Sequence, residues 1–247
     1  MSDYDYIIVG AGSAGSVLAN RLSKNPSNSV LLIEAGGSDR RFYIQMPIGY
    51  GKTYHQKAVN WMYMAEPSPE AGNRSSYWPR GKVLGGSSSI NAMVYVRGNP
   101  KDFDDWHKAG NPGWSYSELL PYFKRMESWQ NGGDKYRGSE GPLNVSDVSS
   151  QLHPLCQNFI AAGEEIGLSF NPDMNGAEQE GVGHYQITTH LGRRMSTSRA
   201  YLRPVMKRKN LTVIMKAQVT RILFKGNQTV GVEFKKNKII QQHYILT

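Results

Sequence analysis

The chain has 247 residues, of which 39% are hydrophobic, 11% aromatic and 20% charged, and its formal net charge is +9 at pH 7. This composition excludes an intrinsically disordered protein, and the longest apolar runs are far shorter than the ~20 residues of a membrane-spanning helix. The length allows one large domain or two small ones.

The positive charge is concentrated in the last part of the sequence. Residues 193–247 carry 13 basic side chains and one acidic side chain, Glu233, whereas residues 1–192 carry 16 basic and 19 acidic side chains. A nucleic-acid-binding protein can show this imbalance, but these basic residues are spread over predicted strands and turns without a recognisable nucleic-acid module. We therefore expect no nucleic-acid partner. The basic stretch could instead face a polyphosphate cofactor or an acidic segment beyond residue 247.

Cysteine usage and the N-terminal residues favour a cytoplasmic protein. The single cysteine, Cys156, cannot form an internal disulfide, which fits a reducing compartment. The first residues are acidic and lack the basic and apolar regions of a signal peptide. We expect a cytoplasmic protein without a transmembrane segment.

The first 34 residues predict a strand, a glycine turn, a helix and a second strand. Tyr4–Val9 is rich in β-forming residues, and apolar residues recur at helical spacing after the glycines. Asn25-Pro26-Ser27-Asn28 should end the helix. Ser29–Ile33 is continuously apolar up to Glu34, as expected of a strand that is buried on both faces.

The middle of the chain is less regular and contains two predicted helices. Residues 36–80 are irregular, and Gly and Ser dominate residues 81–98. Ser115 and Glu118 form a capping box before a helix whose apolar face consists of Leu119, Leu120, Phe123 and Met126. A second helix begins near Pro154 and should stop at Gly167, with Leu155, Phe159, Ala162 and Ile166 on one stripe.

The last 37 residues predict four strands separated by Gly, Asn and Lys turns. These strands are Leu211–Met215, Val219–Phe224, Val230–Phe234 and Ile239–Leu246.

The glycine turn has the pattern of a dinucleotide-binding site. Gly10-x-Gly12-x-x-Gly15 follows a strand and opens a helix, and Glu34 ends the next strand 19 residues later. Gly10 permits the tight turn, Gly12 lets the backbone approach a pyrophosphate, and Gly15 lets the helix pack against the strand. Glu34 would accept hydrogen bonds from the adenosine ribose. The alternative is a plain strand–turn–helix whose glycines only ease packing, and the pattern alone does not separate FAD from NAD.

A second glycine-rich segment, Gly81–Gly98, combines paired glycines and three serines with flanking apolar residues. Such a segment is costly to order, so its composition suggests backbone that approaches a flat ligand. The alternative is a flexible loop, but Val83-Leu84 and Ile90–Val94 would not flank one.

This segment closely resembles the first signature of the glucose–methanol–choline (GMC) flavoprotein oxidoreductases. Residues 5–15, Leu32–Gly37, Asn60-Trp61, Trp78–Gly81 and Asp102–Trp106 are similar to the same family. The resemblance covers essentially the whole chain and is nearest to the choline-dehydrogenase-like branch, which does not by itself fix the substrate.

The resemblance implies FAD as the cofactor. It places the pyrophosphate at Gly10–Gly15, the ribose at Glu34, Arg80–Gly86 beside the pyrophosphate and flavin, and Asn91–Val94 at the isoalloxazine ring. Val219 matches a position that touches the adenine through its backbone, and Trp61 is expected near the flavin. The candidate cofactor-binding residues are Gly10, Gly12, Ser13, Ala14, Gly15, Glu34, Ala35, Trp61, Arg80, Val83, Gly86, Asn91, Ala92, Met93, Val94 and Val219.

The resemblance also bears on how FAD is held. Some relatives attach FAD covalently through a histidine one position before the signature asparagine. In this sequence Ile90 occupies that position, so we expect non-covalent FAD.

Relatives oxidise a primary alcohol: a base takes the hydroxyl proton while hydride leaves for flavin N5. The resemblance places that base, a histidine, near the family's C-terminus, together with a second family signature, and neither is found before residue 247. None of the six histidines matches the base, and none has metal-ligand spacing, so we expect no catalytic residue and no metal here. The six are His55, His107, His153, His184, His190 and His243.

The expected fold class is α/β: a Rossmann-like FAD-binding domain with an incomplete substrate-side region. The FAD-binding part is predicted at residues 1–40, 75–110 and 200–247, and residues 41–74 and 111–199 form connecting and partial substrate-side segments. The function expected of the family is FAD-dependent oxidation of an alcohol. The alternative is a non-catalytic FAD-binding or incompletely folded fragment. The alcohol and the electron acceptor cannot be read from these residues, and apolar surface left uncovered should make the chain poorly soluble.

Overall fold

The computed structural model describes residues 3–245, which form two compact units. The first unit takes the chain up to Ala92 and again from Gly192 onward, and the second is Met93–Leu191. Between residues 3 and 245, no helix combines the length and the apolar character needed to cross a membrane. The predicted assignment of segments to FAD binding and to the substrate side remains a prediction.

The first unit contains the predicted strand–helix–strand and the four C-terminal strands. Its strands are Asp3–Tyr4, Tyr6–Val9, Val30–Glu34, Tyr63–Met64, Tyr77–Trp78, Arg193–Arg194, Leu211–Met215, Ala217–Lys225, Gln228–Lys236 and Ile239–Ile245. Its α-helices are Ser13–Leu22, Phe42–Gln45 and Tyr50–Thr53, its 3-10 turns are Pro47–Gly49, Pro69–Ala71 and Gly86–Ser89, and Ser198–Leu202 is a π-helical turn.

Three strands of the first unit form a parallel sheet. Val30–Glu34 lies in the centre, with Tyr6–Val9 on one side and Leu211–Met215 on the other. All five residues of the central strand are buried, as the continuous apolar run predicts. Because the three strands are parallel, Val9, Glu34 and Met215 end at the same edge of the sheet.

The central strand packs on both faces because its side chains alternate. Val30 and Leu32 join a cluster with Ala19 of the helix Ser13–Leu22. Leu31 and Ile33 join a second cluster around Phe234 on the opposite face. Burial of each such side chain contributes roughly 1.5–3 kcal/mol, so this strand anchors both layers of the unit.

The last three strands form an antiparallel sheet. Ala217–Lys225, Gln228–Lys236 and Ile239–Ile245 pair in sequence order, and Asp3–Tyr4 adds a short parallel strand beside the last of them. The predicted strands are confirmed, and two of them, Ala217–Lys225 and Gln228–Lys236, are a few residues longer than predicted. Leu246, which the prediction included, lies outside the described residues.

The second unit is built from three helices and short strands. Its helices are Pro100–Lys108, Tyr116–Met126 and Leu155–Glu165, its 3-10 turn is Ser149–Gln151, and its strands are Val94–Tyr95, Glu127–Trp129, Leu143–Val145, Gln186–Ile187 and Thr189–His190. The predicted capping box is confirmed: the Ser115 hydroxyl accepts from the Glu118 amide, and the Glu118 carboxylate accepts from the Ser115 amide.

The helix Leu155–Glu165 carries its apolar stripe on the solvent side. Leu155, Phe159 and Ile166 are 65%, 72% and 79% exposed. The helix instead packs against the unit at Gly163, where a Cβ would lie 2.8–3.0 Å from the side chain of Val182. The predicted spacing and the stop at Gly167 are therefore present, but within this unit the stripe is not the packed face.

A buried ion network centres the second unit. Glu127 is fully buried and accepts from Arg97 Nη2 at 2.7 Å and from Arg137 Nε at 2.9 Å. Arg137 also donates from Nη1 to both carboxylate oxygens of Asp173 at 2.7 Å. Burial and the Glu127 charge raise the pKa of the neighbouring Tyr95 hydroxyl, so Tyr95 stays neutral. Two buried guanidinium groups thus depend on one buried carboxylate.

Replacing Glu127 with Gln should destabilise the chain by about 3–5 kcal/mol, because the two guanidinium groups would remain buried without their shared anion. The measurement is the free energy of unfolding in urea. The exposed Glu140→Gln, which removes the same charge, is the matched control and should stay within ~0.5 kcal/mol of the parent. Equal stability of the two variants would contradict this account.

Candidate functional site

A cleft of about 460 Å³ opens at the carboxyl edge of the parallel sheet. In open α/β sheets this edge is where ligands bind. The cleft is lined by Val9, Gly10, Gly12, Ser13, Ile33, Glu34, Ala35, Trp61, Arg80, Gly81, Gly86, Ser87, Ala217, Gln218 and Val219. Every one of these residues belongs to the first unit.

The glycine turn forms one wall and is sterically constrained at two of its glycines. Gly10 has φ +91°, a conformation that glycine adopts without strain. A Cβ on Gly15 would overlap the carbonyl oxygen of Gly10 and lie 3.3 Å from Ile8. Gly15 therefore allows the helix Ser13–Leu22 to start directly against the strand before it.

Gly12 differs from Gly10 and Gly15 because nothing within residues 3–245 requires a glycine there. Its φ is −72°, and a Cβ placed on it would meet no atom within 4 Å. The residue lines the cleft and is the N-cap of the helix Ser13–Leu22, which has no capping side chain and no acidic residue in its first turn. The helix N-terminus therefore offers backbone N–H groups and a partial positive charge to an anion in the cleft.

Glu34 links the turn to the next loop. Its carboxylate accepts from the amide of Ala11 at 2.8 Å and from the amide of Gly36 at 2.7 Å. The side chain is 5% exposed, and burial raises the pKa of this carboxyl although both amides and Lys82 favour the charged form. Each carboxylate oxygen keeps a further lone pair, so a hydroxyl group in the cleft can still donate to Glu34.

The segment Gly81–Gly86 lies against the glycine turn with backbone on backbone. A Cβ on Gly86 would lie 2.7 Å from the Cα of Gly12, and a Cβ on Gly36 would overlap the carbonyl of Lys82. The amide of Gly85 donates to the carbonyl of Ala11 at 2.7 Å. Gly86 therefore lets this segment pack closely against the turn, whereas a Cβ on Gly85 would overlap the Ser89 side chain of the same segment.

The buried side chain of Asn60 hydrogen-bonds to the third wall of the cleft, which contains Trp61 and Arg80. Asn60 Oδ1 accepts from the Arg80 amide at 2.9 Å, and the Trp61 amide donates to the Arg80 carbonyl at 2.8 Å. The Trp61 ring stacks on Tyr63 with centroids 5.9 Å apart, and Lys82 Nζ lies 4.2 Å from the Trp61 ring centroid. This wall therefore presents the Trp61 ring and the cationic side chains of Arg80 and Lys82 beside the cleft.

A second, more apolar cleft of about 400 Å³ shares Arg80 and Ser87 with the first. Its lining residues are Tyr50, Tyr54, Pro79, Arg80, Ser87, Ile90, Asn91 and Ala92. The two clefts therefore adjoin in the first unit, the more polar one at the helix N-terminus and the more apolar one at Asn91. An elongated ligand with one charged and one flat part would match this arrangement.

The structure brings eleven of the sixteen predicted cofactor residues to these clefts. They are Gly10, Gly12, Ser13, Glu34, Ala35, Trp61, Arg80, Gly86, Asn91, Ala92 and Val219.

The other five lie elsewhere. Val83 is fully buried in a cluster with Ile44, Val59 and Ile90, while Gly15 and Ala14 lie in the helix without lining either cleft. Met93 and Val94 fall in the second unit.

Sequence reasoning missed several lining residues. Val9 and Ile33 lie at the ends of parallel strands, so the rule that ligands bind at this edge would have found them. Tyr50 and Tyr54 belong to a stretch without a recognisable motif and could not have been found from spacing. Ile90, in contrast, is 5% exposed and contributes to a core cluster as well as to the second cleft.

Neither cleft contains a histidine among its lining residues. Within residues 3–245, no three His, Cys, Asp or Glu side chains are grouped to hold a metal ion. The chemistry available in the clefts is therefore that of backbone N–H groups, one buried carboxylate, cations and aromatic rings.

The chain is similar in sequence to known proteins. The family model described as GMC oxidoreductase matches residues 4–247. The chain is 49% identical over 245 residues to an oxygen-dependent choline dehydrogenase of Photobacterium profundum, in an alignment that covers 99% of this chain and 43% of that protein. The chain thus spans less than half the length of that relative.

Solved structures agree with the sequence comparison. Pyridoxine 4-oxidase from Mesorbium loti superposes with a TM-score of 0.94 at 36% identity, over 98% of this chain and 48% of that one. An FAD-dependent oxidoreductase from Chaetomium thermophilum gives a TM-score of 0.89 at 31% identity, over 98% of this chain and 44% of that one. With the family model matching nearly every residue, the chain belongs to the GMC oxidoreductase family, of which it represents an N-terminal portion.

Proposed function

We propose that the first unit binds FAD non-covalently, and that in the whole protein this flavin accepts hydride from an alcohol. The observation that carries the proposal is Gly12: within residues 3–245 no atom lies within 4 Å of the position that a Cβ would take, yet the residue lies at an uncapped helix N-terminus inside a cleft. A pyrophosphate that approaches the backbone explains both facts.

The clefts fit the parts of FAD in order. The amides that open the helix Ser13–Leu22 would receive the pyrophosphate, and the free lone pairs of Glu34 would accept from the ribose. Val219 would lie at the adenine, and the apolar cleft at Asn91 and Ala92 would receive the isoalloxazine ring. The family resemblance assigns Met93 and Val94 to the same ring. These two residues belong to the second unit, so their place in the proposal rests on the resemblance.

The substrate class follows from the relatives. Choline and pyridoxine, which the names of two similar proteins contain, both carry a primary alcohol. When bound, FAD supplies the hydride acceptor for such an oxidation. The hydroxyl proton also needs a base, and no histidine of residues 3–245 lines either cleft. We therefore propose FAD binding for this chain and alcohol oxidation for the whole protein only.

The direct test is the visible spectrum of the purified chain after addition of FAD and removal of free FAD by desalting. We expect retained flavin absorbance and no bleaching when choline or pyridoxine is added anaerobically. A folded chain that elutes without flavin would refute the proposed cofactor site. After acid precipitation the yellow colour should stay in solution, because Ile90 offers no atom for a covalent bond to the flavin; a yellow pellet would refute non-covalent binding.

Replacing Gly12 with Ala should weaken FAD binding by tenfold or more, roughly 1.4 kcal/mol, because the new methyl group would occupy the space proposed for the pyrophosphate. The fold should be unaffected, since a Cβ there meets no atom within 4 Å. The measurements are the FAD dissociation constant by fluorescence quenching and the thermal unfolding midpoint without FAD.

Two alanine variants make this test specific. Gly51→Ala also adds a methyl group that meets no atom within 4 Å, but Gly51 lines neither cleft, so FAD affinity should stay at the parent value. Gly15→Ala should lower stability by about 1–3 kcal/mol even without FAD, because its Cβ would overlap the Gly10 carbonyl. Unchanged FAD affinity in Gly12→Ala would contradict the assignment.

A further inference from the structure

Arg194 is a buried cation behind the apolar cleft. Its side chain is among the largest fully buried ones, and the residue is 1% exposed. Its Nε donates to the Ile44 carbonyl at 2.9 Å, and its Nη1 donates to the Ser88 carbonyl at 3.2 Å and to Asn91 Oδ1 at 2.8 Å. Its buried Nη2 has no hydrogen-bond partner in the described part of the chain.

No carboxylate of residues 3–245 forms an ion pair with Arg194. Burial alone lowers the pKa of this guanidinium to about 10, so it remains charged at neutral pH. Arg137 is equally buried, but Glu127 and Asp173 neutralise it. An unpaired buried cation is destabilising, which makes a purely structural role a poor explanation for Arg194.

The hydrogen-bond partners of Arg194 include a residue that lines the apolar cleft. The 3-10 turn Gly86–Ser89 and Asn91 lie between the guanidinium and the cleft that Asn91 lines. Because a guanidinium only donates hydrogen bonds, it fixes the Asn91 amide with its oxygen toward Arg194 and its nitrogen turned away. Asn91 itself is exposed and lines the apolar cleft.

We infer that Arg194 is a positioning residue of the flavin site: it orients Asn91 and places an unneutralised positive charge behind the turn that meets the isoalloxazine ring. This inference rests on the proposed binding of FAD. A flavin that receives an electron pair gains negative charge on its ring, and a fixed cation in a dry environment stabilises that charge. Arg194 would therefore make the bound flavin a better electron-pair acceptor without contacting it.

The affinity for sulfite measures how readily the bound flavin accepts an electron pair, and it requires no turnover of a substrate. The sulfur lone pair of sulfite forms a bond to flavin N5, and the electron pair displaced from the ring comes to rest on the pyrimidine side, so the adduct is anionic and its yellow absorbance is lost. The experiment measures the sulfite dissociation constant of the FAD-loaded chain from this loss of absorbance. The variants are Arg194→Met and Arg194→Gln, which remove the charge, and Arg194→Lys, which keeps it.

We expect sulfite affinity to fall by about tenfold or more in Arg194→Met and Arg194→Gln, and by less than about threefold in Arg194→Lys. Arg193→Met is the matched control: it removes the same charge from the exposed neighbouring position and should leave sulfite affinity within about twofold of the parent. The Gln variant keeps a hydrogen-bond donor and provides the comparison if the Met variant does not fold.

The outcomes separate the two proposals. A parent chain that retains no FAD would overturn the proposed cofactor site, and this inference with it. If the parent retains FAD, sulfite affinity in Arg194→Gln within about twofold of the parent would overturn the role of Arg194 alone. An equal loss in Arg193→Met would also overturn it, because the effect would then reflect net charge and not the buried position.

Discussion

The contact of backbone with backbone at the glycine turn determines the shape of the candidate site. Gly15 brings the helix against the strand before it, and Gly86 brings the second glycine segment against Gly12, with no space for a side chain at either contact. These contacts place the N-terminus of the helix at the carboxyl edge of the parallel sheet.

The same constraint separates the glycines that the fold requires from Gly12, for which a ligand contact is proposed. Gly10, Gly15, Gly36 and Gly86 are each required by backbone conformation or by an adjacent backbone atom. Gly12 is required by neither and lines the cleft, which the proposed pyrophosphate contact would explain.

The two units also differ in how their buried charged groups are partnered. In the second unit, buried guanidinium groups are neutralised by carboxylates, as Arg137 is by the buried Glu127 and the half-buried Asp173. In the first unit, Glu34 is satisfied by backbone amides, and Arg194 has no anionic partner within the described chain. The buried charges of Glu34 and Arg194 therefore lie beside the clefts, where the proposed cofactor, which is anionic and accepts electrons, would bind.

The sequence by itself determined the local elements and the motif, because capping, turn and alternation rules act over a few residues. The capping box at Ser115, the buried strand Val30–Glu34 and the C-terminal strands follow from such rules, and the resemblance of Gly81–Gly98 identified the family. Only the tertiary structure decided which residues face a ligand. It buried Val83, brought Tyr50 and Tyr54 to Asn91, exposed the stripe of the helix Leu155–Glu165, and set Arg194 behind Ser88. Burial and long-range hydrogen bonds depend on segments that are far apart in the sequence, such as Arg194 and Ile44, which are 150 residues apart, and no local pattern encodes that distance.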